Sequence, residues 1–108
     1  MSVTLVRQKV KDGRVEEAEA AVLDWFAALD RERPEGLRYA STRVEGSTFV
    51  ILTELADGIE DPRPAIPEFQ RFREQLKELV DGPPVIEQLD VVGSYQLFGT
   101  QREESAVR

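Results

Sequence analysis

Two neighbouring stretches, residues 37–44 and 48–56, carry large apolar residues on both of their alternating faces, and this constrains the fold more than any other feature of the chain. They flank Glu45-Gly46-Ser47, and a glycine followed by a small polar residue marks a tight hairpin. Whether Glu45-Gly46 or Gly46-Ser47 forms the turn, the parity groups Arg38, Ala40, Thr42 and Val44 with Phe49, Ile51, Thr53 and Leu55. The opposite face then holds Leu37, Tyr39, Ser41 and Arg43 with Thr48, Val50, Leu52 and Glu54. Leu5 and Val6 divide the first strand in the same way. At about 25 cal/mol per Å² of apolar surface, a sheet left bare on such a face forfeits several kcal/mol and invites association.

The rest of the chain supplies the layers around that hairpin. Residues 3–10 alternate loosely and stop at Asp12-Gly13, as a strand does. Over 15–33, Val15, Ala18, Val22, Trp25, Phe26 and Leu29 recur in steps of three and four, forming one helical stripe that Pro34 and Gly36 end. Its early glutamates suit the positive end of the helix dipole. Residues 57–67 hold three of the six prolines and read as an irregular loop. Pro67 suits the first turn of a second helix through Phe69, Phe72, Leu76, Leu79 and Val80. Asp81-Gly82-Pro83-Pro84 stops it, and residues 85–98 supply the last strand, densest from Leu89 onward. The order is β-α-β-β-α-β. It predicts a ferredoxin-like α+β domain over residues 1–98, a four-stranded antiparallel sheet with both helices on one face, followed by a polar tail over 99–108. Since one subunit shields only one face, the expected partner is a second copy. The homodimer interface is read as Leu5, Leu37, Tyr39, Val50 and Leu52, with Arg7, Tyr39 and Glu54 as a cross-strand polar group at its rim.

Composition removes whole classes of function. The chain has 108 residues, 14 Lys plus Arg against 21 Asp plus Glu, and neither His nor Cys. Imidazole acid–base chemistry, thiolate nucleophiles, Cys-His metal sites and disulfides are all excluded. A net charge of −7 disfavours nucleic acid as a partner. No apolar window approaches a membrane span or a secretory leader, so the expected address is cytoplasmic.

The stretches Val10-Lys11-Asp12-Gly13-Arg14, Arg33-Pro34-Glu35-Gly36-Leu37-Arg38-Tyr39, Phe49-Val50-Ile51-Leu52-Thr53-Glu54-Leu55-Ala56-Asp57 and Pro67-Glu68-Phe69-Gln70-Arg71-Phe72 resemble the antibiotic biosynthesis monooxygenase (ABM) superfamily. The resemblance spans about residues 3–98 and implies a dimeric α/β barrel. It also implies a pocket between sheet and helices, with Phe49, Ile51 and Leu55 on its floor. Members of that superfamily include cofactor-independent oxygenases of aromatic polyketide intermediates, quinol oxygenases and haem-degrading oxygenases. This chain departs from them at three places. Leu55 stands where a Trp is frequent, Val6 where haem-degrading members carry Asn, and no His is present to ligate haem iron. Haem degradation is therefore disfavoured, and no cofactor or metal is expected.

The expected function is binding of a small apolar or aromatic molecule, with cofactor-independent monooxygenation of an aromatic or quinol-like substrate as its reaction. The alternative is a non-catalytic dimeric binding or interaction module. The expected ligand contacts are Trp25, Arg38, Thr42, Ile51, Thr53 and Leu55, with Ser94 or Tyr95 as further contributors. A lone Trp in a helical apolar stripe is more often core, and an Arg such as Arg38 more often reaches solvent from an outer strand. The loop over 57–67 is expected beside the pocket mouth, where it could serve as a lid. Its Asp57, Glu60 and Asp61 read as solvated acids rather than a cation site. A cavity of several hundred Å³ would favour a ligand, and a space filled by Trp25, Phe26, Phe69 and Phe72 a plain scaffold.

Overall fold

A computed structural model describes residues 1–44 and 46–97. Strand β1 spans Ser2–Lys9, helix α1 Val15–Glu32, strands β2 and β3 Leu37–Val44 and Thr48–Leu55, helix α2 Pro67–Leu79 and strand β4 Val85–Leu89. The strands form one antiparallel sheet in the order β2-β3-β1-β4, the expected ferredoxin-like α+β arrangement. Helix α1 ends where Arg33 adopts a left-handed conformation and its N–H donates to the Leu29 carbonyl at 2.8 Å. Pro67 opens α2, where its missing N–H costs nothing. Among the described residues, no helix is long and apolar enough to cross a membrane.

The hairpin differs from expectation in one respect that reassigns half of a strand pair. Val44 pairs with Thr48, so three residues connect the strands rather than two, with Gly46 at φ +76°. Glu45 itself lies outside the described residues. An odd connection inverts the parity of β2 against β3, because side chains alternate with a period of two. Tyr39 therefore pairs with Thr53, Ser41 with Ile51 and Leu37 with Leu55, on the face that the helices cover. Arg38 and Thr42 pair with Glu54 and Val50 on the outer face, alongside Leu52. The expected placement of Leu37 and Tyr39 on the outer face, and of Arg38 and Thr42 beneath the helices, is thus corrected. Leu5, Val50 and Leu52 do share the outer face, since Leu5 pairs with Leu52 and Arg7 with Val50.

A second correction concerns the last strand, which ends at Leu89 rather than continuing to Phe98. Leu89 pairs with Val3, and among the described residues no strand pairs with the segment beyond it. Residues 90–97 leave the sheet fully exposed, with Tyr95 at 87%. Phe98 and the expected tail over 99–108 lie outside the described residues.

Between sheet and helices the core divides in two. Ala21, Trp25, Ala28, Ile66 and Phe72 form one buried cluster, against which Tyr39 and Phe26 pack. Val10, Ala18, Phe49 and Leu79 form the other. Alanines on α1 let the helix approach closely, and Trp25 fills the space they leave. Gly36 is required twice over: its φ is +80°, and a Cβ there would meet Ile59 Cγ1 at 2.9 Å. Gly13 shares the φ, at +82°, but faces open space. Replacing either glycine by Ala should cost roughly 1 kcal/mol for the backbone conformation, and Gly36→Ala should cost more because Ile59 must move. Urea unfolding midpoints would check this, equal losses at the two sites contradicting the Gly36–Ile59 packing.

Candidate functional site

Where the sheet and helices diverge they enclose a cavity of about 330 Å³. Its floor is the inner face of the sheet, with Val6 and Gln8 from β1, Tyr39 and Ser41 from β2, Phe49, Ile51 and Thr53 from β3 and Ile86 from β4. Ala18 and Val22 of α1 and Phe69, Phe72, Arg73 and Leu76 of α2 form the roof. Arg63, from the short helical turn Arg63–Ala65 in the β3–α2 loop, enters from the side. Arg73, Pro84 and Ile86 are exposed and mark the rim. The walls are mostly apolar, and the cavity sits at the lower end of the size range of small-molecule sites.

Four aromatic side chains hold the floor and roof in register. The Tyr39 ring meets Trp25 edge-on at 6.4 Å and tilts against Phe26 at 5.4 Å. Trp25 stacks on Phe72 at 5.9 Å. Burial pushes the Tyr39 phenol above its ordinary pKa, with the neighbouring indole and Arg63 pulling the other way. Tyr39 is consequently a neutral hydroxyl at physiological pH. The Ser41 hydroxyl is buried and has no hydrogen-bond partner among the described residues, as is true of the Trp25 indole N–H. Gln8 is committed, its side-chain N–H donating to the Gly82 carbonyl at 3.1 Å.

Arg63 is fixed by its own loop. Its Nε and Nη2 donate to both carboxylate oxygens of Asp61, at 3.0 and 2.7 Å, and its guanidinium lies 5.5 Å from the Phe69 ring centre. The hydrogen bonds from Arg63 hold the Asp61 carboxyl below its usual range against partial burial. Burial opposes the Arg63 charge in turn, and the Asp61 partnership outweighs it. Asp57 pairs with the N-terminal ammonium. Among the described residues no acidic cluster suited to a metal occurs.

The structure brings together only part of the expected contact set. Ile51 and Thr53 line the cavity. Leu55 shares their face but lies beyond the lining. Trp25 is core, 1% exposed, and stands behind the roof. Arg38 and Thr42 face outward, where the Thr42 hydroxyl donates to the Val50 carbonyl at 2.8 Å. Ser94 and Tyr95 are exposed on the segment that has left the sheet. Tyr39, Ser41, Arg63 and Arg73 were not anticipated. For the first two the missing signal was the length of the hairpin loop. For Arg73 a signal existed: positions 69, 70, 76 and 77 on its helix hold Phe, Gln, Leu and Lys, so no carboxylate stands three or four residues away.

The sequence matches no protein-family profile and no curated protein. Solved structures give the likeness instead. A candidate antibiotic biosynthesis monooxygenase from Caulobacter crescentus superposes with a TM-score of 0.66 at 25% identity, over 85% of this chain and 90% of that one. SnoaB, a cofactor-independent oxygenase from Streptomyces nogalater, gives 0.63 at 20% identity over 86% and 95% of the two chains. A protein of unknown function from Nitrosomonas europaea, NE2512, gives 0.68 at 18% identity over 87% and 92%. The chain thus has the ABM-like fold that its sequence resembles.

The raised phenol pKa has a measurable consequence. The unfolded chain releases its tyrosine proton at about pH 10, before folded Tyr39 does. Stability from the neutral phenol is therefore intact below that pH and is lost as pH climbs toward the folded value. Urea midpoints should fall more steeply above pH 10 in the native chain than in Tyr39→Phe. Parallel curves would contradict the burial of the hydroxyl.

Proposed function

We propose that the cavity binds a small apolar or aromatic molecule, and that the protein is a cytoplasmic homodimer with one cavity in each subunit. The observation that carries the binding reading is a mostly apolar space of about 330 Å³ lined by Tyr39, Ser41, Ile51 and Thr53. Ile51 and Thr53 are its floor contacts. Trp25 acts indirectly, by fixing the Tyr39 ring. A filled core would have left no such space between Phe49 and Phe69.

The dimer follows from the outer face. Leu5, Val50 and Leu52 form a half-buried apolar strip with no covering layer among the described residues, and Val44, Val85 and Leu89 extend it to the sheet edges. Covering this face with a second copy removes the same surface from water twice. Leu52→Arg should convert the dimer to a monomer or prevent folding, as read by light scattering. An unchanged dimer mass would reject the outer face as the interface.

Cofactor-independent monooxygenation is the reaction this site suits best. The cavity holds neutral hydroxyl donors and arginines but no carboxylate or imidazole, so no group in it serves as a strong base at neutral pH. A substrate able to form its own carbanion would need only donors to stabilise the negative charge and an environment poor in water. The likeness to SnoaB supports this reading. Thermal-shift screening against quinols and anthrones, followed by oxygen uptake on each hit, tests it. Stabilisation with oxygen consumption is the expected result. Stabilisation without consumption would leave a binding module, and no stabilisation by any compound would reject the enzyme.

A further inference from the structure

We infer that the ligand of this cavity is an aromatic anion, its acidic group paired with Arg73 and its ring body among Phe49, Phe69 and Phe72. This rests on the reading of the cavity as a ligand site and adds the charge of what occupies it. The chain carries 21 acidic against 14 basic residues, yet the charged residues lining the cavity are Arg63 and Arg73, with no Asp or Glu. The local charge is opposite in sign to that of the whole protein.

The two arginines differ in availability. Arg63 is already neutralised by the bidentate contact with Asp61. Arg73 makes no ion pair among the described residues; its guanidinium lies 5.6 Å from the Phe69 ring centre. On the same helix Glu68 is engaged with Arg31 at 2.6 Å and Glu74 with Lys77 at 3.2 Å. An arginine set against an aromatic face at the mouth of an apolar cavity offers an entering anion a charge-assisted hydrogen bond beside an apolar body.

The probes are 2-naphthoate and its uncharged counterpart 2-naphthalenemethanol, titrated into the whole chain at low salt by calorimetry, with amide NMR shifts locating the site. Both should shift the amides of Ser41 and Thr53, and the carboxylate should bind about tenfold more tightly. Arg73→Gln should remove that preference while leaving the alcohol within about twofold of its native affinity, and Arg73→Lys should retain part of it. Equal affinities for the two probes, or an Arg73→Gln variant that weakens both alike, would overturn the charge assignment and leave the cavity reading standing. If neither probe moves the cavity amides, the ligand-site reading fails and the inference falls with it.

Discussion

The pairing of β2 with β3 is the constraint on which the site depends. Because Val44 meets Thr48 across three connecting residues, every odd-numbered side chain of β2 points toward the helices. That one residue of loop length puts Tyr39 against Trp25 and Phe26, and Ser41 on the cavity floor. It also sends Arg38 and Thr42 to the opposite side. Had the loop been two residues long, the inner face would carry Arg38 beneath an apolar roof, a buried charge with no partner. The aromatic contacts of Tyr39 and the hydrophobic identity of the helical stripe thus agree with the odd connection and disagree with the even one.

Once that register is set, the sheet has two apolar faces with different fates. Helices α1 and α2 cover the inner one incompletely, and the gap they leave over the four strands is the cavity. Along the outer one, Leu5, Val50 and Leu52 run from β1 to β3 with charged residues above and below them. The aromatic cluster around Trp25 keeps roof and floor apart rather than filling the space between, which distinguishes this interior from a plain packed core. Electrostatics sharpen the distinction: among the described residues no Asp or Glu lines the cavity, Arg63 there is paired with Asp61, and Arg73 at the rim makes no ion pair.

Most of the architecture was legible in the sequence because hydrophobic period is a local property. The α1 stripe, the Pro67 start of α2 and the turn residues each announce themselves within a few positions. Strand parity is not local in that way: Glu45-Gly46-Ser47 allows two-residue and three-residue connections, and the choice inverts four assignments. The end of β4 was hidden for a different reason. Residues 89–98 have strand-forming composition, but a strand needs a partner, and among the described residues the β1–β4 ladder ends at the Val3–Leu89 pair. Of the contact residues, Ile51 and Thr53 followed from the β3 pattern. Arg63 and Arg73 sit on a loop and a helix, so sheet parity could not reach them, and only the lack of neighbouring acids set Arg73 apart.

Nuclear Overhauser contacts of the Tyr39 ring test the account most directly, since they report which side of the sheet that side chain occupies. The account expects cross-peaks from Tyr39 to the indole of Trp25 and the ring of Phe26. Cross-peaks to the methyl groups of Val50 and Leu52 in their place would return β2 to the opposite parity and remove the floor from the cavity.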